Sequence, residues 1–231
     1  MSITAVIHQP DFLSYLGFFQ RFLCADKWVI LDNVQFVTGT AKSWQNRDTI
    51  KTAKGKNWLT VSVQKAPFGT MINEIMLSEN EWRKDNLNLI YNSYRKALYF
   101  NEIVPHIEEL YAFQCHRLME FNLKTTSKLM ELFDINIESV MASELNPSGK
   151  SNELLVDILR KVNADQYLSG VGARAYFDPA PFVEAGIEVI WQEFKHPVYT
   201  QLYGEFIPYL SAIDLLFNAG IEESRRILRS C

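Results

Sequence analysis

Two short apolar runs open the chain, Ile3 to His8 (I-T-A-V-I-H) and Lys27 to Asp32 (K-W-V-I-L-D), and an aromatic segment with helical spacing, Tyr15 to Cys24, lies between them. Apolar runs of this length, continuous rather than alternating, suit strands buried on both faces. A helix joining two of them makes a βαβ unit, whose strands are parallel. The pattern returns after Asp134, with strands read at 135–140, 165–170 and 187–194 and a helix over 152–162. Such alternation predicts an α/β, Rossmann-like, mostly parallel sheet covered by helices.

The middle of the chain departs from this pattern. Residues 34–80 read as a small β insertion, in which a polar loop through S-W-Q-N-R-D-T-I-K leads to a strand at 58–63 (W-L-T-V-S-V) with Ile72 to Leu77 as its partner. Residues 81–133 read as a helical segment with two apolar sets, and Pro105 suits the first turn of its second helix. Two short helices, from about Ile207 and from Glu222, close the chain. Residues 1–231 are read as a single domain, since a chain of this length buries roughly 70–75% of its unfolded surface.

Composition excludes several classes. A 48% hydrophobic fraction without low-complexity tracts argues against disorder. No apolar run approaches the roughly 20 residues that span a bilayer, so no membrane span is expected. The amino terminus lacks a basic segment followed by an apolar stretch and a cleavage site, so the cytoplasm is the expected location. A net charge of -4 gives no reason to expect nucleic acid as a partner. Three cysteines without CxxC spacing, and His106 and His116 without ligand spacing, give no metal site.

Parallel strands deliver their carboxyl ends to one sheet edge, where loops hold ligands while the sheet stays rigid. Polar groups collect at all five expected strand ends: His8-Gln9, Asp32-Asn33, Ser139 with Ser143, Ser169-Gly170-Val171-Gly172, and Lys195-His196-Pro197. His8 is a candidate general base, because imidazole exchanges protons near neutrality, and His196 is its rival. Asp32 is a third catalytic candidate, suited to orient that histidine, bind a sugar hydroxyl or hold Mg²⁺, or else to cap the turn beside Asn33. Gln9 extends the first strand end. Gln45, Asn46, Arg47 and Lys51 combine amides and cations suited to phosphate within a basic stretch from Lys42 to Lys56, which also reads as the solvated face of a hairpin. Ser169, Gly170 and Gly172 form a turn that can open backbone N–H groups to an anion. Tyr199 and Gln201 follow His196 in H-P-V-Y-T-Q, and Pro197 holds Lys195-His196 extended.

Taken together, I-H-Q-P-D-F-L-S-Y-L-G-F-F, A-D-K-W-V-I-L-D-N-V-Q-F, S-W-Q-N-R-D-T-I-K, Y-L-S-G, H-P-V-Y-T-Q and L-S-A-I-D-L-L-F-N-A-G resemble the WbqC-like protein family of bacteria, from the first strand to about Gly220. The resemblance implies a role in O-antigen and related surface-polysaccharide assembly, with transfer of an acyl or aminoacyl group such as glycine to an amino sugar. It implies a nucleotide-linked or lipid-linked amino sugar as substrate and a CoA-linked or carrier-protein-linked donor. Where members usually carry Q-P-x-Y-x-P-W, this chain has Asp11-Phe12-Leu13-Ser14-Tyr15 after Gln9-Pro10. The opening is also similar to nucleotidyltransferases and pantothenate synthetases with an HxGH signature, but Tyr15-Leu16-Gly17-Phe18 keeps the glycine without flanking histidines. A nucleotide-dependent transferase or ligase, and a non-catalytic sugar-nucleotide or carrier-protein binding module, are therefore the alternatives to the transferase.

Overall fold

The computed structural model describes residues 2–37 and 43–231. Lys42, one end of the basic stretch, lies outside the described residues. Five parallel strands, β1 (Thr4–His8), β2 (Lys27–Ile30), β5 (Glu138–Met141), β6 (Gln166–Ser169) and β7 (Glu188–Trp191), form one sheet in the order β5-β2-β1-β6-β7. This is the Rossmann order, in which the chain builds outward from β1 in one direction and then, from β6, in the other. The α/β sheet expected from the sequence is the one observed.

Side-chain alternation shows why both faces of this sheet are covered. Val6, Trp28, Ile30 and Leu168 join a large core on one face. Ala5, Ile7, Val29 and Tyr167 join a smaller core on the other. The large core is built with α1 (Leu16–Leu23), α2 (Trp82–Tyr94), α3 (Phe100–Ala112), α4 (Leu118–Phe133) and α7 (Ile213–Arg229). The small one is built with α5 (Asn152–Lys161) and α6 (Ala180–Ala185). The aromatic residues of α1 pack on β2, with Phe18 meeting Phe22 at 4.8 Å and Phe22 meeting Trp28 at 4.8 Å between ring centres.

The insertion differs from its expected form. β4 (Gly55–Thr60) pairs antiparallel with β3 (Arg47–Thr52), the segment expected to be a polar loop. Ile72–Glu74 is a 3-10 turn, and Val63 and Leu77 share a single bridge. β3 escapes a pattern search because Asp48, Thr49 and Lys51 are buried polar residues, so no hydrophobic alternation marks it. The helical segment holds three helices, and Pro105 sits inside α3 instead of in its first turn.

The last two helices expected from the sequence are two halves of α7 meeting at Gly220, and the segment from Ile207 to Ala212 precedes them without helix. Gly220 has φ 76° and ψ 173°, backbone open essentially to glycine, and a Cβ there would stand 2.5 Å from the Tyr99 ring. Gly220→Ala is therefore expected to cost about 1–3 kcal/mol in backbone strain alone. A denaturant titration checks this; a midpoint equal to that of the parent would show that the kink relaxes freely.

Candidate functional site

The site begins where two strands part. β1 and β6 are paired only at Thr4 with Gln166 and Ala5 with Tyr167. Beyond that point β1 continues against β2 as far as His8, and β6 continues against β7 as far as Ser169. A crevice therefore opens between their carboxyl ends, at the position where the strand order reverses and where open α/β sheets bind ligands. A cavity of about 870 Å³ occupies it, large enough for a drug-sized ligand.

Loops close the crevice into a cavity. After β1 the chain runs through residues 9–15, which are stitched on three sides. Phe12 N–H donates to the Trp44 carbonyl at 3.1 Å, and Ala212 N–H donates to the Ser14 carbonyl at 3.0 Å. The buried Asn122 side chain of α4 donates to the carbonyls of Pro10 and Gln45, at 2.7 and 2.6 Å. Ser211 N–H in turn donates to the Thr49 carbonyl at 2.8 Å, which fixes β3 as a side wall and presents Asp48 to the cavity. The turn from Gly170 to Arg174 and the segment from Gln192 to Lys195 complete the lining.

The floor and the β3 wall together carry four ionisable groups in unusual states. His8 has its Nδ1 2.8 Å from the Gln9 carbonyl, which assigns the proton to Nδ1 and leaves Nε2 as an acceptor. Burial, reinforced by the positive charge of Arg21, lowers its pKa to about 3. Asp11 lies 3.9 Å from that imidazole, and burial raises its pKa to about 7 against the hydrogen bond it accepts from Gln9 Nε2 at 3.1 Å. At 3.9 Å the two can pair as ions, but taking both charges out of water costs more than their attraction returns, so the neutral pair is favoured. Asp48 is pushed well above the ordinary carboxylate range, first by burial and further by Asp11, despite accepting the Thr49 N–H at 2.6 Å. Arg21 is the fourth group. It is 5% exposed and is the one charged residue of α1, and burial lowers its pKa.

Of the residues singled out in the sequence, His8, Ser169, Gly170 and Gly172 line this cavity, and Gln9 braces Asp11 from behind. His196 sits beside it in an aromatic box of Phe194, Tyr199, Phe206 and Tyr209, of which Phe194 and Tyr209 reach the cavity. Its Nδ1 is 2.8 Å from the Pro197 carbonyl, its Nε2 is buried with no hydrogen-bond partner among the described residues, and burial lowers its pKa.

The other residues lie elsewhere. Asp32 accepts both the Ser143 N–H, at 2.9 Å, and the Ser143 hydroxyl, at 2.6 Å, tying the end of β2 to the chain just past β5. Gln45 is buried and accepts the Val37 N–H at 2.7 Å. Asn46 donates to the Val61 carbonyl at 3.0 Å. Arg47 lies over the Trp58 ring at 4.5 Å and, with Asn46 and Lys65, lines a second, smaller cleft of about 460 Å³. Lys51 is buried and donates to Gln201 Oε1 and to the carbonyls of Gly204 and Glu205. Tyr199 and Gln201 both donate to Asp214 Oδ2, at 2.9 and 2.8 Å, within a buried network that also includes Tyr94.

Sequence reasoning passed over Asp11, Ser14, Arg21 and Asp48, all of which line the cavity. One signal was present: Arg21 is the sole charge in L-G-F-F-Q-R-F-L, a helix whose apolar face it shares. Asp48 carries no such signal, being one acidic residue inside the basic stretch from Lys42 to Lys56.

The architecture and cavity define an α/β protein with a Rossmann-ordered sheet and a polar site at its switch point. The profile of the WbqC-like protein family matches residues 9–226, and the chain belongs to that family. A relative from Mycobacterium tuberculosis (strain ATCC 25618 / H37Rv), described as uncharacterized protein Rv1507c, is 30% identical over 219 residues, covering 94% of each chain. No solved structure matches. Among the described residues no helix is long and apolar enough to cross a membrane.

Proposed function

We propose that the protein is a cytoplasmic transferase of surface-polysaccharide (O-antigen) assembly that moves an acyl or aminoacyl group, such as glycine, onto the amine of a nucleotide-linked or lipid-linked amino sugar, with its chemistry in the cavity between β1 and β6. The observation that carries the reading is the pairing of a neutral His8 with an Asp11 that titrates near neutrality, 3.9 Å apart at the floor of a ligand-sized cavity. Acyl transfer to an amine needs a proton acceptor at the nitrogen, which such a pair can supply. The amine nitrogen forms a bond to the acyl carbon, the bond to the donor's leaving group breaks, and the amine must shed a proton.

In this reading ionised Asp11 accepts that proton, and the bare Nε2 of His8 accepts a second amine N–H and orients the lone pair toward the acyl carbon. The leaving thiolate then takes a proton back from Asp11, which restores the starting state. Gln9 holds Asp11 in place through its side-chain amide. The donor is a CoA ester or an acyl or aminoacyl carrier protein.

The test is a panel of nucleotide-linked amino sugars incubated with acyl- and aminoacyl-CoA donors, read by mass spectrometry of the sugar and by thiol release. Acceptor mass increasing by one acyl unit, with one thiol released per transfer, is the expected result. Nucleotide sugars that bind without turnover across all donors would convert the site into a binding module. Release of AMP and pyrophosphate from ATP during transfer would convert it into a ligase.

A further inference from the structure

Arg21 is a buried cation that, among the described residues, has no hydrogen-bond or ion-pair partner, and Asp11 is the carboxylate whose charge it feels. Its Nε in particular is buried without an acceptor. Its guanidinium carbon lies 5.7 Å from the centre of the Phe18 ring, a contact that supplies no acceptor for its N–H groups. Burying an unpaired charge costs several kcal/mol, so a cation so placed marks a position where an anion is meant to arrive. The surroundings leave room for one. Gly170 faces the guanidinium, and a Cβ there would stand 3.3 Å from Nη1. Ser14 lines the same cavity, and its hydroxyl is likewise buried without a partner.

The charge count of the floor decides which anion. His8 is neutral and Asp11 is partly ionised near neutrality, so Arg21 is the one cation buried in the floor, while Arg174 and Lys195 line the cavity from exposed positions. Against the floor a doubly charged group would meet one buried cation and the growing charge of Asp11. A singly charged planar group matches both the count and the flat fork of the guanidinium.

We propose that Arg21 and Ser14 form a subsite for a carboxylate carried by the substrate, set in the floor of the β1/β6 cavity. This rests on the cavity being the ligand site, as the transferase reading also requires, but it does not depend on turnover. The carboxylate belongs either to the sugar, as in a sugar acid, or to the acyl group. Its arrival pairs Arg21, gives Ser14 an acceptor for its hydroxyl proton and fixes the orientation of the ligand beside His8 and Asp11.

The experiment is a thermal-shift titration of the full chain at pH 7.5 with sodium acetate, sodium glucuronate and inorganic phosphate, against sodium chloride at equal ionic strength. Acetate at about ten times its dissociation constant should raise the unfolding midpoint by about 3 °C. Glucuronate exceeding acetate assigns the carboxylate to the sugar, and equal shifts assign it to the acyl group. Arg21→Met should raise the midpoint of the ligand-free protein by about 2 °C or more, because it removes an unpaired buried charge, and should abolish the acetate shift. Ser14→Ala should keep the parent midpoint and at least halve that shift.

No acetate shift, a phosphate shift as large as that of acetate, or a lowered midpoint for Arg21→Met would each overturn the subsite. A carboxylate response without any acyl transfer would retire the transferase reading alone. Transfer unchanged in Arg21→Met would retire the subsite alone.

Discussion

Asp11→Asn is expected to lower turnover by about 10²- to 10⁴-fold, the usual contribution of a positioned general base. In the parent protein kcat/KM should rise with pH through an apparent pKa of about 7, because Asp11 accepts a proton only once it has lost its own. The asparagine variant keeps the shape and the contact with Gln9 but cannot take the proton, so that limb should vanish. A surviving limb would assign it to another group.

The same substitution has a stability signature of opposite sign. Asp11 holds its proton more tightly in the folded state, so its contribution to stability is full below about pH 4 and is lost as pH rises to about 7. His8, depressed to about 3, contributes stability that is full above about pH 6.5 and is lost as pH falls toward 3. In the window from about 4 to 6.5 the two oppose each other. Asp11→Asn removes one side of that balance. The variant should therefore gain stability with rising pH across the window and exceed the parent at pH 8 by up to about 4 kcal/mol. A nearly inactive variant more stable than its parent is hard to obtain from a merely structural residue.

The second large effect is expected at Asp214. Its carboxylate is fully buried and accepts hydrogen bonds from Tyr94 at 2.7 Å, Tyr199 at 2.9 Å and Gln201 at 2.8 Å. Gln201 also accepts from Lys51, so the lysine of β3 and the aspartate of α7 balance each other's charge through one amide. Asp214→Ala would leave two phenols and an amide without their acceptor and the ammonium of Lys51 without compensation. Removing one partner from a buried charged network costs about 3–5 kcal/mol, which lowers the unfolding midpoint by about 10 °C in a domain of this size. Calorimetry of Asp214→Ala decides the matter. A parent-like midpoint would mean that these residues are not holding the fold, and Lys51, Tyr199 and Gln201 would return to the ligand set.

The contrast between these two clusters shows what was legible in the sequence. The sheet was, because Ile3 to His8 and Lys27 to Asp32 are apolar runs whose length and spacing admit little besides parallel strands. Its carboxyl edge followed, and with it His8, Ser169, Gly170 and Gly172, since a strand end has its position fixed by the sheet. Lys51, Tyr199 and Gln201 were recognisable as polar residues with a purpose, but a chemical type does not distinguish a ligand contact from a buried brace. That depends on the fold bringing Asp214 of α7 to meet a strand residue and two loop residues.

Arg21 and Asp48 were hidden for the converse reason. Each sits in a segment whose pattern describes something else, an apolar helix in one case and a basic stretch in the other. Burial alone turns them into features of a site. β3 was obscured by the same buried polar residues that give it a wall to build.

The most direct test of the central claim is a crystal structure of the protein with the first nucleotide sugar or carboxylate shown to stabilise it. The ligand is expected between the carboxyl ends of β1 and β6, against Arg21, with its reactive amine within hydrogen-bond reach of His8 Nε2 and Asp11. Ligand density confined to the second cleft, on Arg47 and Lys65, would contradict this account and move the site to the β insertion.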